Sequence, residues 1–200
     1  FISDQNCCLI LGDNIFFGYQ FTDMLRDAKE NLDGATIFST FVNNPSDFGV
    51  VELDKDGHII SIDEKPSNPR SNLAITGLYF YNNSVVDIVE SIKPSERGEL
   101  EITDVNKIYF EQNLLKVLQL GRGFAWLDTG TNDSMQAAGD FVSTIQKRQG
   151  LQIACLEEIA FKNGWIDKEI LSNQIKKYIN SDYGRSVSYT HLTLPTIAEV

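Results

Sequence analysis

The sequence predicts an α/β protein in which a sheet is flanked by helices and is followed by a helical appendage. Short runs rich in β-branched and aromatic residues are typical of strands, and two clear examples are residues 35–42 (ATIFSTFV) and 75–81 (ITGLYFY). Segments with apolar residues at helical spacing, such as 21–31, alternate with these runs. Beyond residue 134 the segments are helical only, which indicates an appendage rather than a continued sheet.

The individual elements follow from the same two patterns. A short apolar run at 7–11 predicts a buried strand that enters a loop at Gly12, Asp13 and Asn14. The remaining predicted elements are a hairpin of 49–53 and 58–63, helices at 84–92 and 101–112, strands at 117–120 and 124–127, and helices within 134–148 and 156–179. This order predicts an α/β domain over 1–133 and C-terminal helices over 134–185. Residues 186–200 lack a helical period and are interpreted as a tail of doubtful origin, without functional meaning.

Composition and charge exclude several classes of function. The chain has 200 residues and a net charge of −11, which disfavours a nucleic-acid partner. It has no apolar run of the roughly 20 residues that a membrane helix requires. The three cysteines lack the spacing of metal ligands, and we expect a cytoplasmic protein. A nucleotide substrate remains compatible with the acidic charge because Mg²⁺ can join carboxylates to phosphates.

Two aspartates are candidate metal ligands. Asp13 follows the strand at 7–11, and Asp128 follows the strand at 124–127, so each lies where open α/β sheets place ligand-binding residues. If the two strand ends converge, the carboxylates could share one Mg²⁺ together with phosphate oxygens and water. The alternative for Asp13 is an Asx turn that ends the strand.

Cationic candidates lie at Lys65 and Arg97. Lys65, between Glu64 and Pro66, is suited to binding a phosphate monoester, and Glu64 could accept hydrogen bonds from sugar hydroxyls. For an isolated lysine, a surface ion pair or a solvated turn is the favoured explanation. Arg97 precedes the helix at 101–112 and could meet an anion, whereas Thr103 or Asp104 could cap that helix without any ligand.

Other residue types narrow the chemistry further. Gly49 and Gly77 lie inside strands, which indicates either bulges or a close approach to a ligand. Trp126 could line a sugar pocket, although aromatic residues beside strands more often belong to the core. The two histidines lie in a hairpin and in the doubtful tail, and no nucleophile-elbow pattern is present, so covalent hydrolase chemistry lacks support.

Taken in order, these motifs resemble those of glucose-1-phosphate thymidylyltransferases. Residues 11–18 (LGDNIFFG) are close to the LGDNIFYG signature of that family, and the similarity extends over about residues 1–185. It includes 48–51 (FGVV), 64–66 (EKP), 76–79 (TGLY), 98–106 (GELEITDVN) and 126–131 (WLDTGT). The resemblance implies a Rossmann-like nucleotidyltransferase with a mixed sheet flanked by helices and a C-terminal helical appendage.

The resemblance also implies a reaction and a role for each candidate residue. The phosphate of glucose 1-phosphate would attack the α-phosphate of dTTP, giving dTDP-glucose and pyrophosphate. Asp13 and Asp128 would bind Mg²⁺, and Lys65 would bind the sugar phosphate with help from Arg97. Asn14 would contact the bound nucleotide sugar, and the glucose would be held by Glu64, Gly49 and Ile75. The family further implies a homo-oligomer that is built through the C-terminal helices.

The sequence departs from the family in what precedes and follows these motifs. The Gly-rich loop that wraps the triphosphate in the family is absent, and so is the segment that recognises the base. We therefore expect this chain to be inactive alone, marginally stable and prone to aggregation. A UTP-dependent sugar-1-phosphate pyrophosphorylase and a non-catalytic nucleotide-sugar binding module remain open alternatives. A glycosyltransferase of similar architecture would require a D-x-D metal pair, which Asp13-Asn14-Ile15 does not supply.

Overall fold

A computed structural model describes residues 2–95, 98–150, 152–178 and 180–188. The chain forms two compact units, residues 1–130 and 131–200. In the first unit the elements are β1 (Cys7–Ile10), β2 (Asn14–Phe17), α1 (Phe21–Glu30), β3 (Ala35–Phe41), β4 (Gly49–Leu53), β5 (Ile59–Glu64), β6 (Leu73–Tyr81), α2 (Val85–Ser91), α3 (Ile102–Glu111), β7 (Leu115–Leu120) and β8 (Ala125–Asp128), with a 3-10 helix at Pro45–Asp47. In the second unit they are α4 (Asn132–Gln149), α5 (Leu156–Lys162), α6 (Lys168–Ile175) and α7 (Asp182–Ser188), with a 3-10 helix at Lys176–Tyr178.

The main sheet of the first unit is mixed. Its strand order is β5-β4-β6-β3-β7, and β1 pairs with β6 beyond the end of β4. Among the described strands of this sheet, β3 and β7 form the one parallel pair, and the chain passes through α2 and α3 after β6 before it enters β7 on the far side of β3. The other pairs are antiparallel, and β4 and β5 form the hairpin that the sequence predicts.

Helices cover both faces of this sheet. Successive residues of a strand point to opposite faces, so Ile37 packs with α2 and α3, while Phe38 packs with α1. The α2–α3 face contains a row of stacked tyrosines, with Tyr79 and Tyr81 at 6.0 Å and Tyr81 and Tyr109 at 5.6 Å between ring centroids. The predicted α/β architecture, a mixed sheet flanked by helices, is therefore confirmed.

A second, two-stranded sheet places the polar residues of the first unit. Strand β2 pairs antiparallel with β8, and Asn14 lies opposite Asp128 in the register. The sequence predicts a loop at Asn14 and misses β2, because a four-residue strand with a partner more than a hundred residues away leaves no local pattern. The pairing brings the two predicted strand ends, at Asp13 and Asp128, side by side.

The expected cap of α3 is wrong. The helix begins at Ile102, and its N-cap residue is Glu101, which makes no capping hydrogen bond through its side chain. Thr103 and Asp104 both lie within the first turn instead. Thr103 is buried, and its hydroxyl donates a hydrogen bond to Glu64 at the end of β5.

The described part of the second unit contains helices and turns but no strand. A small core of Cys155, Leu171, Ile175 and Val187 joins its shorter helices. Helix α7 extends to Ser188, so the first three residues of the predicted tail continue a helix, whereas 189–200 lie outside the described residues. Within the described residues, no helix is both long and apolar enough to cross a membrane.

Candidate functional site

A cavity in the first unit collects most of the residues that the sequence singles out. Its volume is ≈ 210 Å³. The predicted site residues in its lining are Asp13, Asn14, Gly49, Glu64, Lys65, Ile75 and Asp128. Arg97, the remaining predicted residue, lies outside the described residues. Seven separate sequence positions thus converge on a single concave surface, as a binding site requires.

The two aspartates face a common point beside Gly130. A methyl group on Gly130 would lie 3.3 Å from Asp128 Oδ1 and 3.7 Å from Asp13 Oδ2. The backbone around them is tied down, because Thr129 donates to the Asp13 carbonyl through both its N–H and its hydroxyl, each at 2.8 Å. The Gly130 N–H donates to Asp128 Oδ1 at 3.1 Å. Two carboxylate oxygens are therefore held around a small volume that a side chain at residue 130 would occupy.

Asn14 makes hydrogen bonds through both polar atoms of its side-chain amide. Its Oδ1 accepts hydrogen bonds from the Gly77 N–H at 3.0 Å and from Trp126 Nε1 at 2.6 Å. Its Nδ2 donates to Asp13 Oδ1 at 2.9 Å. Gly77 lies where β6 departs from regular register against β3, so the first of the two explanations for this glycine, a bulge, applies. It occupies a bulge, and a methyl group there would come within 2.6 Å of Asn14 Oδ1.

A second set of polar contacts surrounds Glu64 at the end of β5. Glu64 pairs in register with Gly49 on β4, and its Oε2 accepts the Thr103 hydroxyl at 2.5 Å. A methyl group on Gly49 would lie 3.0 Å from Thr103 Oγ1 and 3.3 Å from Glu64 Oε2, so glycine gives these two side chains room. The Ile75 side chain forms the apolar wall, 3.6 Å from the same point.

Lys65 leaves β5 with a strained backbone. Its φ is +40°, a value that side-chain-bearing residues adopt rarely, and its N–H donates to the Phe48 carbonyl at 3.0 Å. Such conformations are concentrated at functional sites, where the surrounding structure holds them in place. The side chain is exposed at the cavity, which is the position that a phosphate-binding lysine would need.

The cavity is strongly acidic. Among the described residues of its lining, Lys65 is the single basic side chain, and it stands against the carboxylates of Asp13, Asp47, Glu64 and Asp128. Tyr79 adds a neutral phenol, because burial and, to a lesser degree, the nearby charge of Glu64 raise its pKa. A phosphate group entering this cavity would meet net negative charge unless a cation accompanied it.

Sequence reasoning missed several lining residues. Thr103, Tyr79 and Asp47 belong to the cavity, and none was singled out as a site residue. Thr103 lies within GELEITDVN, which marked it as part of a motif, but its contact with Glu64 joins residues 39 positions apart. Trp126 lines the cavity, which is one of the two positions that the sequence left open for it. Its ring packs edge-on against Phe48 at 5.0 Å between ring centroids.

Comparison with known proteins identifies close relatives in sequence. The chain is 51% identical over 185 residues to a glucose-1-phosphate thymidylyltransferase of Neisseria meningitidis, covering 92% of this chain and 64% of that protein. It is 50% identical over 183 residues to the enzyme of the same name from Mycolicibacterium smegmatis, covering 92% and 63%. The chain thus spans a little under two thirds of the length of these relatives.

Solved structures share the fold. One is a Bacillus anthracis protein assigned as a glucose-1-phosphate thymidylyltransferase and crystallised with sucrose, with a TM-score of 0.62 and 35% identity over 70% of this chain and 55% of that one. A UDP-glucose pyrophosphorylase bound to UDP-glucose has a TM-score of 0.61 at 20% identity, over 72% of this chain and 58% of that one, and so supports the fold alone.

A family model matches a longer stretch of the chain than any of the motifs covers. The model for nucleotidyl transferases matches residues 1–144, which include all the strands that the structure describes and all the residues that line the cavity. The resemblance that the motifs indicated is therefore confirmed, and the chain belongs to the nucleotidyl transferase family.

Proposed function

We propose that the protein to which this chain corresponds transfers a thymidylyl group from dTTP to glucose 1-phosphate, giving dTDP-glucose and pyrophosphate. The observation that carries the proposal is the convergence of the paired aspartates, Lys65 and the Glu64–Thr103 pair on one cavity. The names of the relatives at 50–51% identity supply the substrates.

The donor set fits Mg²⁺. This ion is bound in proteins by one or two carboxylates and completes its coordination with phosphate oxygens and water. Asp13 Oδ2 and Asp128 Oδ1 face the same point beside Gly130 and would hold it. When bound, the ion supplies positive charge that neutralises the phosphates of both substrates. Among the described residues there is no cluster of three or more potential metal-ligating side chains.

The protein groups bind and orient the sugar phosphate. Lys65 would pair with the phosphate of glucose 1-phosphate, Glu64 would accept hydrogen bonds from glucose hydroxyls, and Ile75 and the Gly49 backbone would form the wall of the sugar pocket. An oxygen of the sugar phosphate forms a bond to the α-phosphorus of dTTP while the bond to pyrophosphate breaks, and the electron pair leaves with pyrophosphate. The attacking oxygen is already anionic, so no general base is required.

Two further features complete the proposal. The oligomer is expected to form through the C-terminal helices, and the exposed apolar side chains of Leu156, Trp165 and Ile170 in the second unit are consistent with such contacts. Cys7, Cys8 and Cys155 all carry free thiols, which suits the reducing cytoplasm that we propose as the location.

Pyrophosphate release tests the reaction. The chain is joined to the parts of the Neisseria meningitidis relative that lie outside the 185 matched residues and is assayed with Mg²⁺, glucose 1-phosphate and either dTTP or UTP. We expect release with dTTP, and its loss in the Asp13→Asn/Asp128→Asn variant. Release with UTP alone would contradict the choice of nucleotide while keeping the chemistry. No release from a folded chimera would favour the non-catalytic binding module.

A further inference from the structure

The hydrogen bonds of Asn14 identify the orientation of its side-chain amide. A backbone N–H and an indole N–H can only donate, so the atom that receives the Gly77 and Trp126 hydrogen bonds must be the amide oxygen. The amino group is then fixed on the opposite side, where it donates to Asp13 Oδ1. A flipped amide would lose all three hydrogen bonds, so these partners allow one orientation of the Asn14 side chain.

Both anchors of the amide oxygen are themselves held firmly. Gly77 lies in the buried strand β6, and its missing side chain is what allows Asn14 to approach its N–H. Trp126 lies on β8, which pairs with β2, and its ring packs against Phe48. The Asn14 amide therefore connects the central sheet to the small sheet and has little freedom to rotate.

The hydrogen bond to Asp13 selects the orientation of that carboxylate. Asp13 Oδ1 is engaged by the Asn14 amino group, and Oδ2 is the oxygen that faces Gly130 and Asp128 Oδ1. Asp13 itself is exposed, and without a partner its side chain would sample several rotamers in solvent. A carboxylate that is already oriented binds a cation without the entropic cost of ordering it. Hydrogen-bonded partners of metal ligands generally supply this orientation.

We propose that Asn14 is a positioning residue, held by Gly77 and Trp126, that orients the Asp13 carboxylate towards Asp128 for binding of a divalent cation. This inference rests on the proposed function, because it presumes that the two aspartates bind a metal. It assigns Asn14 a role that differs from the sugar-nucleotide contact implied by the family resemblance, and it gives Trp126 and Gly77 a part in the metal site without direct contact to the ion.

The two tryptophans of the chain provide a direct test of the anchoring. In the ¹H–¹⁵N spectrum of the 200-residue chain, the Trp126 indole N–H should exchange with water at least about 10-fold more slowly than that of Trp165, which is 73% exposed. In the Asn14→Ala variant this difference should disappear. Exchange of the Trp126 indole that is equally slow in parent and variant would show that Asn14 does not hold it.

Mn²⁺ affinity, measured calorimetrically without any substrate, tests the positioning. We expect Asn14→Ala and Trp126→Phe each to raise the Kd about 10-fold, the size typical for partners of metal ligands. Because both changes break the same chain of contacts, the double variant should be no worse than Asn14→Ala alone. Trp165→Phe, a matched change outside the cavity, should leave the Kd unchanged.

The outcomes separate the two proposals. Parental Mn²⁺ affinity in both the Asn14→Ala and the Trp126→Phe variants would overturn the positioning role and leave the metal site standing. Independent, additive effects of the two substitutions would also overturn it, because the contacts would then act separately. A parent chain that binds no Mn²⁺ while its Trp126 indole is protected would overturn the metal site, and the positioning role with it.

Discussion

At the scale of single residues, removal of the Thr103 hydroxyl has the clearest expected effect on stability. It is buried, and it donates to the half-buried carboxylate of Glu64 at 2.5 Å. Thr103→Val keeps the shape and removes the donor, so we expect a loss of about 1.5–3 kcal/mol in the free energy of unfolding, the range for hydrogen bonds to charged groups. Urea unfolding followed by circular dichroism measures this loss.

Thr103→Ser is the matched control for that change. Serine retains the hydroxyl and loses only a methyl group, so it should bind glucose 1-phosphate as the parent does, whereas the valine variant should bind it more weakly. Equal sugar-phosphate affinity in the valine and serine variants would show that the hydroxyl is not needed to orient Glu64.

The residues of the candidate site divide into those the sequence could indicate and those it could not. Asp13, Asp128 and Lys65 follow strands that are recognisable from local patterns, so their positions at strand ends were predictable. The partners that orient them were not, because the Trp126–Asn14 and Thr103–Glu64 contacts join residues 112 and 39 positions apart. Such pairings depend on the register of β2 with β8 and of α3 against the sheet, which no local window contains.

At the scale of elements, two glycines of helix α4 should respond to the same substitution with opposite changes in the free energy of unfolding. Gly139 lies in the interior of the helix with open space around it, and Gly150 ends the helix with a φ of +71°. Gly139→Ala should raise the free energy of unfolding by about 0.5–1 kcal/mol, because alanine loses less backbone entropy in a helix.

Gly150→Ala is the same chemical change in the left-handed conformation, and it should lower the free energy of unfolding by about 1 kcal/mol. Denaturant titrations of the two variants measure both effects. A shift of the same sign in the two variants would contradict the description of this helix and its C-terminal cap.

The secondary structure was largely predictable because most elements carry their own pattern. The hairpin of β4 and β5 was indicated by two apolar runs around Asp54–Gly57, and α1 by its apolar face. Two features escaped because tertiary contacts decide them. Strand β2 depends on its partner β8, and the first turn of α3 is stabilised by the sheet rather than by a capping side chain.

At the scale of the whole molecule, the outer side of β1 is the surface most liable to associate. Among the described residues β1 has β6 as its single partner strand, and Leu9, Ile10 and Leu11 beside it are 40%, 56% and 41% exposed. An unpaired strand edge with apolar side chains is a template for pairing with another chain. We therefore expect the 200-residue chain to self-associate as its concentration rises.

A single charge on β1 should reduce this association. Ile10→Lys places a cation on a side chain that is already half exposed, so the melting temperature should change little while the sedimentation profile shifts towards the monomer. The equivalent Val89→Lys change, on an exposed side chain of α2, is the control for added charge. Equal solubilisation by both variants would show that net charge, rather than the strand edge, governs association.

Asp13 and Asp128 are proposed to form one divalent-cation site in the cavity, and paramagnetic broadening by Mn²⁺ tests this site most directly. A substoichiometric amount of Mn²⁺ should broaden the amide signals of Asn14 and Gly130 and the indole signal of Trp126 before it broadens the signals of first-unit residues outside the cavity lining. Either Asp13→Asn or Asp128→Asn should abolish the broadening. Broadening that persists in both variants, or that appears first elsewhere in the chain, would contradict the claim.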